Sequence, residues 1–239
     1  ALLDIQPGLG PDVVGGSWCP HDGHVNPLYL LRSLHNCFLT RNGQLLHDAE
    51  VFDITHEEGV FDVFSRKGQF QAPCLVLAAG LGNRKLAPLI GLKQPVRPQK
   101  GQILVTQKID KLIDVPMTLL RQTAEGSIMI GDSKEEVGFD ISSSIDIMAQ
   151  IADRARRTLP VLEKQQIIRS WAALRVMSPD GFPMYDQSES CPGGFAITCH
   201  SGVTLAAAHC FDMAADIEAG NFSVGLQSFS ERRFDVSAH

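Results

Sequence analysis

Three short segments, residues 49–54, 60–64 and 69–72, alternate apolar and polar side chains at period two and are separated by Glu58-Gly59 and Lys67-Gly68. Strict alternation sets one face of a strand against a core, and glycine-bearing dipeptides reverse the chain, so this stretch is confined to an antiparallel meander. Residues 74–80 are different in kind: Cys74, Leu75, Val76, Leu77, Ala78 and Ala79 form a continuous apolar run closed by Gly80. Such a run predicts a buried strand in a sheet covered on both faces. A chain holding both patterns needs helices as well as strands.

The helices are legible at spacing three and four. Leu28, Leu31, Leu34 and Phe38 recur behind Asn26, a candidate cap, and Pro27, which suits a first turn; this helix ends near Asn42-Gly43. A second helix is predicted over residues 144–159, with Ile145, Met148, Ile151, Ala152 and Ala155 on one face and Pro160 as its stop. Between them, strands are predicted at 101–106, 117–121 and 127–131, the last two joined as a hairpin by Ala124-Glu125-Gly126. Further strands are predicted at 167–177 and 195–198, the last leading through a small-residue turn into an Ala-rich helix. The fold class is therefore α/β (α+β): a sheet-and-helix layer at both ends of the chain, interrupted by a strand-rich insert with an antiparallel or mixed sheet and flanking helices.

Composition narrows the function classes. With 239 residues, 44% of them apolar, the chain can bury a substantial core as one large domain or two small ones. A net charge of -6 without a basic block, and 7% aromatics, argue against a nucleic-acid groove or an anionic lipid surface. No apolar run approaches a membrane span, and no basic-then-apolar leader opens the chain. The six cysteines are scattered without zinc-site spacing, which predicts reduced thiols and a cytoplasmic setting. His21-Asp22-Gly23-His24 precedes Asn26-Pro27 and is read as a turn, so no metal is expected. Neither a Ser/His/Asp triad nor a carboxylate pair stands out, and no catalytic side chain is assigned. A GxGxxG turn is absent too; Gly80-Leu81-Gly82-Asn83-Arg84-Lys85 lacks the third glycine.

Two features carry binding chemistry. In Cys199-His200-Ser201-Gly202-Val203-Thr204-Leu205 a turn runs into a helix whose first N–H groups and dipole favour an anion; Gly202 allows close approach, and Ser201 or Thr204 is positioned to cap. Any βα junction shares that form. Arg175 ends an otherwise apolar strand just before Ser178-Pro179-Asp180-Gly181. A guanidinium there needs an anionic partner, either a ligand carboxylate or an acid such as Asp180. Arg121, in Leu119-Leu120-Arg121-Gln122-Thr123, faces the same choice.

Four stretches taken together carry a resemblance. They are residues 20–27; Val76-Leu77-Ala78-Ala79-Gly80 followed by Pro98-Gln99-Lys100-Gly101-Gln102; Trp171-Ala172-Ala173-Leu174-Arg175 with Ser178-Pro179-Asp180-Gly181-Phe182-Pro183; and residues 194–205. Arg233-Phe234 follows near the end. In this order they resemble the FAD-dependent D-amino-acid oxidase, glycine oxidase and sarcosine oxidase family, and are most similar to bacterial dehydrogenase subunits of the opine, D-hydroxyproline and hydrogen-cyanide-synthase kind. The family's dinucleotide fingerprint has no counterpart here. The expectation is the C-terminal part of a flavoprotein, either a cut chain or a shorter natural subunit, in which FAD belongs to the parent protein and is absent or weakly held by this chain.

The resemblance implies that residues 1–82 and 171–239 belong to an FAD-binding domain and 83–170 to a substrate domain. Val51 matches a backbone contact to adenine, or is an ordinary strand residue. Ala79 and Gly80 match the small residues beneath the pyrophosphate. His200, Ser201, Gly202, Val203, Thr204 and Leu205 match the segment against the flavin N1 and C2 carbonyl edge; the His200 side chain is either a proton-transfer group or a loop histidine. A helix N-terminus there stabilises the negative charge of a reduced flavin. Arg175 matches the grip on the substrate carboxylate, with Arg121 as a second candidate. The implied reaction moves a hydride from the carbon bearing the amine of a small amino or imino acid to flavin N5, giving an imine. The alternative is a non-catalytic binding or scaffold subunit of a hetero-oligomeric dehydrogenase.

Overall fold

The computed structural model describes residues 2–235. In chain order the elements begin with α1 (Leu2–Ile5), α2 (Pro27–Thr40), β1 (Val51–Glu57), β2 (Val60–Ser65), β3 (Gly68–Ala72), β4 (Leu75–Leu77) and α3 (Asn83–Leu86). β5 (Arg97–Lys108), β6 (Leu120–Gln122), β7 (Ser127–Ile130), α4 (Ile145–Thr158) and β8 (Ile167–Met177) follow. β9 (Met184–Gln187), β10 (Gly194–Thr198), α5 (Ala206–Ala208) and α6 (Ala214–Glu218) complete the set, with short 3-10 turns elsewhere and a π-helical segment, His209–Met213, joining α5 to α6. Helices with antiparallel and mixed sheets are the expected fold class. The chain divides into two compact units, residues 1–45 with 99–174 and residues 46–98 with 175–239. This division by compactness cuts the chain at other points than the division by role given above.

The first unit is built on the sheet β6-β7-β5-β8. β6 and β7 form the predicted hairpin, with Leu120 opposite Ile130 and Gln122 opposite Ile128. Alternation places Leu104, Leu120, Ile128 and Ile130 on one face, where α4 covers them with Ile151 and Ala155. Burying such side chains stabilises by roughly 1.5–3 kcal/mol each, which is why α4 follows its apolar stripe. Ser144 caps this helix: its Oγ accepts the N–H of Ile147 at 3.3 Å, and its own N–H donates to Gln102 Oε1 at 3.0 Å. Asn26 caps α2 as predicted, accepting the Leu28 and Tyr29 N–H groups. No residue of α2 is buried, and its stripe of Leu28, Leu31, Leu34 and Phe38 stays open to solvent among the described residues. Lys100 is buried within a polar cluster, 3.3 Å from Glu135 and 2.9 Å from Asp140, and this ties β5 to the segment after β7.

The second unit holds two small sheets. β1-β2-β3 is the predicted antiparallel meander, registered from Val51 opposite Ser65 to Glu57 opposite Val60 and on to Ala72 opposite Phe61. Its inward side chains Ile54 and Phe61 join Leu77, Ala87, Ile90 and Ala196 in one core. The other sheet has the order β4-β10-β9, with β10 parallel to β4 and antiparallel to β9.

Four expectations need correction. The apolar run at 74–80 forms a strand only over Leu75–Leu77, at the edge of its sheet; Leu77 is buried but Val76, Ala78 and Ala79 are exposed, so it is not covered on both faces. The strand placed at 117–121 starts at Leu120, because Met117 and Leu120 close a turn on each other's backbone after Pro116. The helix after β10 begins at Ala206 with Leu205 at its cap and no side-chain cap; Ser201 and Thr204 do not fill that role. Gly202 and the β-branched pair Val203-Thr204 are weak helix formers, so regular helix waits for the alanines. β9 is absent from the expected strands, since Asp186 interrupts a short apolar pattern.

Candidate functional site

β4 and β10 lie side by side in parallel, with Leu75, Val76 and Leu77 opposite Gly194, Phe195 and Ala196. Parallel neighbours end on the same edge, so the loops that leave them emerge together. In open sheets the crevice beyond these carboxyl ends is where ligands bind. The loop after β4 carries Ala79 and Gly80; the loop after β10 carries His200, Ser201, Gly202, Val203, Thr204 and Leu205. The fold thus brings together two of the three segments that the resemblance ties to a cofactor. Val51 is the third. It starts β1 in the other sheet, and its half-buried side chain packs on the shared core.

Asn83 locks the two strand ends. It is fully buried, and its Nδ2 donates to Leu77 O at 3.0 Å, Ile197 O at 3.2 Å and Thr198 Oγ1 at 2.7 Å, while its Oδ1 accepts the Ala79 N–H at 3.0 Å. Sequence reasoning passes over it as part of a failed glycine motif. The signal available is an asparagine just beyond an apolar strand and its closing glycine. Gly80 has φ +57°, and a Cβ there would stand 3.2 Å from Val176 Cγ2, so both backbone and space require glycine.

The turn that follows β10 is exposed from His200 to Thr204. It is closed by Leu205 N–H donating to Ser201 O at 3.0 Å and Ala206 N–H to Val203 O at 3.3 Å. Among the described residues the N–H groups of Gly202, Val203 and Thr204 donate to no protein acceptor. No lysine or arginine lies between residues 199 and 208. Unpaired N–H groups on an exposed turn before a helix, together with the small exposed Ala79, fit the anionic ring edge and phosphate flank of a flavin. The His200 ring sits 3.3 Å from its neighbour Ser201 Oγ. The helix behind the turn is fastened by Tyr185 of β9, whose hydroxyl meets His209 Nε2 at 2.8 Å. Burial pushes Tyr185 up to about 12 and holds His209 below its usual range.

Arg175 is half-buried two residues before the end of β8. Asp180, an acid within its reach in the sequence, is gripped from elsewhere: Arg233 Nε meets Asp180 Oδ2 at 2.8 Å and Nη2 meets Oδ1 at 3.0 Å. Arg233 also donates to the carbonyls of Phe229, Ser230, Phe182 and Pro183. It clasps the turn after β8 to the C-terminal 3-10 segment. Asp186 of β9 fixes the same segment by accepting from Ser230 Oγ at 2.7 Å and Glu231 N–H at 3.1 Å, with Gln94 Nε2 at 2.6 Å.

The Arg233 bond holds Asp180 down to about 2, from an ordinary 3.8. A carboxyl depressed on folding contributes stability above its unfolded value and loses it as pH falls through the folded one. We therefore expect an unfolding midpoint that drops between about pH 4 and about pH 2 more steeply in the native chain than in Asp180→Asn. Equal slopes in urea titrations would refute the clasp.

Arg121, in the first unit, is half-buried on β6. Its Nη1 donates to His24 Nδ1 at 3.2 Å and its Nη2 contacts Met129 Sδ at 2.8 Å. Among the described residues no carboxylate pairs with it, which distinguishes it from Arg157, Arg232 and Arg233.

With the fold, the paired strand ends and the unpaired donors in place, the comparisons with known proteins define a class of flavoprotein. Residues 1–215 match the FAD dependent oxidoreductase family, DAO, and the chain belongs to it. It is 44% identical to an opine oxidase subunit from Rhizobium meliloti, over 98% of this chain and 63% of that protein. It is 28% identical to glycine oxidase of Pseudomonas putida, over 88% of this chain and 60% of that protein. The crystal structure of glycine oxidase from Geobacillus kaustophilus shares the fold with a TM-score of 0.88 at 23% identity, covering all of this chain and 65% of that one. The chain therefore spans less than two thirds of the length of these relatives. Among the described residues no helix is long and apolar enough to cross a membrane.

Proposed function

We propose that this chain forms the ring-side and substrate-binding part of an FAD-dependent enzyme that oxidises the carbon–nitrogen bond of an amino or imino acid. The supporting observation is the paired strand ends: Ala79 and Gly80 on one loop and the unpaired N–H groups of Gly202, Val203 and Thr204 on the next, locked by Asn83. In this reading Ala79 and Gly80 lie under the phosphates, residues 200–205 line the flavin ring edge, and Val51 meets the adenine through its backbone. The flavin, when bound, accepts a hydride from the carbon that bears the amine. The protein's own task is orientation. Arg175 and Arg121 are assigned to carboxylate binding, where the planar guanidinium offers two parallel donors. Residues 46–98 and 175–239 hold the proposed cofactor contacts and Arg175, and residues 99–174 with 1–45 hold Arg121. A relative named as a subunit supports placing the chain in a multi-chain dehydrogenase.

The test is anaerobic mixing of the flavin-loaded protein with amines while the oxidised flavin band near about 450 nm is followed. Carboxylate-bearing primary or secondary amines are expected to bleach it, and the same amines without the carboxylate to leave it unchanged. A flavin that no amine reduces would favour the scaffold reading.

A further inference from the structure

Lys100 and Gln102 are buried on the same face of β5, and together they hold down the loop of residues 136–145. At the start of the loop the Lys100 and Glu135 N–H groups each donate to the other's carbonyl at 2.9 Å. The Lys100 ammonium then donates to Asp140 Oδ2 at 2.9 Å and to Ser142 O at 3.1 Å, while Asp140 Oδ1 accepts the Ser142 N–H at 2.8 Å. At the far end the Ser144 N–H donates to Gln102 Oε1 at 3.0 Å. Start, middle and end of the loop are thus fixed to one strand.

What this loop displays does not suit water. Val137, Phe139, Ile141 and Ile145 are 45%, 67%, 63% and 79% exposed. Single exposed apolar side chains are ordinary, but these four sit close together in sequence on a pinned loop, where the ordering that binding would otherwise demand is already complete. Beside the loop lies a cleft of about 790 Å³, lined by Glu135 from the loop's start and by Ile147, Ile151 and Asp153 of α4.

Charge decides what kind of face fits. Between Lys134 and Arg154 the chain carries Glu135, Glu136, Asp140, Asp146 and Asp153 and no lysine or arginine. Lys100 answers Glu135 and Asp140, and Arg156 answers Asp153; Asp146, exposed beside Ile145, has no ion pair among the described residues. A second copy meeting this loop across a two-fold axis would set acid against acid, whereas a face with lysine or arginine around an apolar centre is complementary. An amphipathic helix is a common way to fill a cleft flanked by apolar anchors.

We propose that the 136–145 loop and the cleft beside it dock a different protein, through an amphipathic helix whose apolar face is bordered by lysine and arginine. The open stripe of α2 is not an equivalent surface, since residues 27–40 include Arg32 and no acid. The docking needs no flavin, so it stands or falls apart from the oxidation reading.

The probe is a labelled helical peptide of about 15 leucines and lysines, titrated with the whole chain and read by fluorescence anisotropy. It should bind saturably and more weakly as salt rises, and its twin with glutamate for lysine should need at least about tenfold more protein. Phe139→Ser with Ile145→Ser should weaken the lysine peptide by at least about tenfold, as for the loss of central apolar anchors. Both side chains are exposed, so the urea midpoint should stay where it is. Leu31→Ser with Leu34→Ser on α2 should leave binding unchanged, and Asp146→Asn should weaken it and flatten its salt dependence. The inference is overturned by equal affinity for the two peptides, by indifference to the loop variant, or by equal losses from the loop and α2 variants. Sedimentation supplies a separate arm: self-association of the native chain that the loop variant abolishes would assign the surface to a second copy and overturn the proposal.

Discussion

Asn83→Ala is expected to destabilise the chain by about 3 kcal/mol or more, because each buried polar group left unpaired costs roughly 1–3 kcal/mol. Four groups lose a partner at once: Leu77 O, Ile197 O, Thr198 Oγ1 and the Ala79 N–H. Asn83→Asp separates the contributions. It keeps an acceptor for Ala79 and removes the donors to the two strands, so it should lose nearly as much as alanine. Urea denaturation reads both, and a loss below about 1 kcal/mol for Asn83→Ala would show that the strand ends do not depend on this amide. Both variants should also loosen the register between the loops that carry Gly80 and Gly202, which predicts weaker flavin retention in the loaded protein.

The second large effect concerns Arg175. If it holds the substrate carboxylate, Arg175→Ala in the flavin-loaded protein should lower kcat/KM for amino acids by about a hundredfold or more, as expected for the loss of a two-point charged contact. Arg175→Lys keeps the charge and loses the fork, so it should recover only part. The diagnostic comparison is an amine of the same shape without the carboxylate, for which native and variant rates should converge. A uniform loss across both substrates would assign Arg175 to holding the end of β8 and not to recognition. The clasp between Arg233 and Asp180 makes that distinction clean, since the turn after β8 is held from the other side.

Local pattern carries much of the fold. The meander from Val51 to Ala72, the capped helices α2 and α4, the β6–β7 hairpin and the whole length of β8 follow from alternation, capping and turn chemistry, all of which act over a few residues. What departs from the pattern depends on distant partners. Residues 74–80 look like a buried strand, yet the strand is short and open along one side because, among the described residues, β10 alone pairs with it. The helix after β10 shows the same limit. Counting small residues puts its start too early, whereas the turn from Ser201 to Leu205 closes on its own carbonyls first.

The candidate site divides in the same way. Arg175, Gly80 and the 200–205 turn stand out as residue types in unusual surroundings. Asn83, Asp186 and the Tyr185–His209 pair do not, because their meaning lies in what they touch across more than twenty residues of chain. Arg121 is visible as an arginine in an apolar strand, but its contacts with His24 and Met129, and the lack of an acid partner among the described residues, need three dimensions.

The joint between β4 and β10 also has a history in time. Asn83 and Thr198 are separated by 115 residues of chain. The meander beside them is made of neighbours and can fold as soon as it is synthesised, whereas this joint must wait for a long loop to close. At about 5–20 residues per second, several seconds of translation pass after Asn83 appears before β10 can dock. During that interval Leu75, Val76 and Leu77 have no strand to pair with, so the proposed flavin crevice is among the last features of the nascent chain to exist.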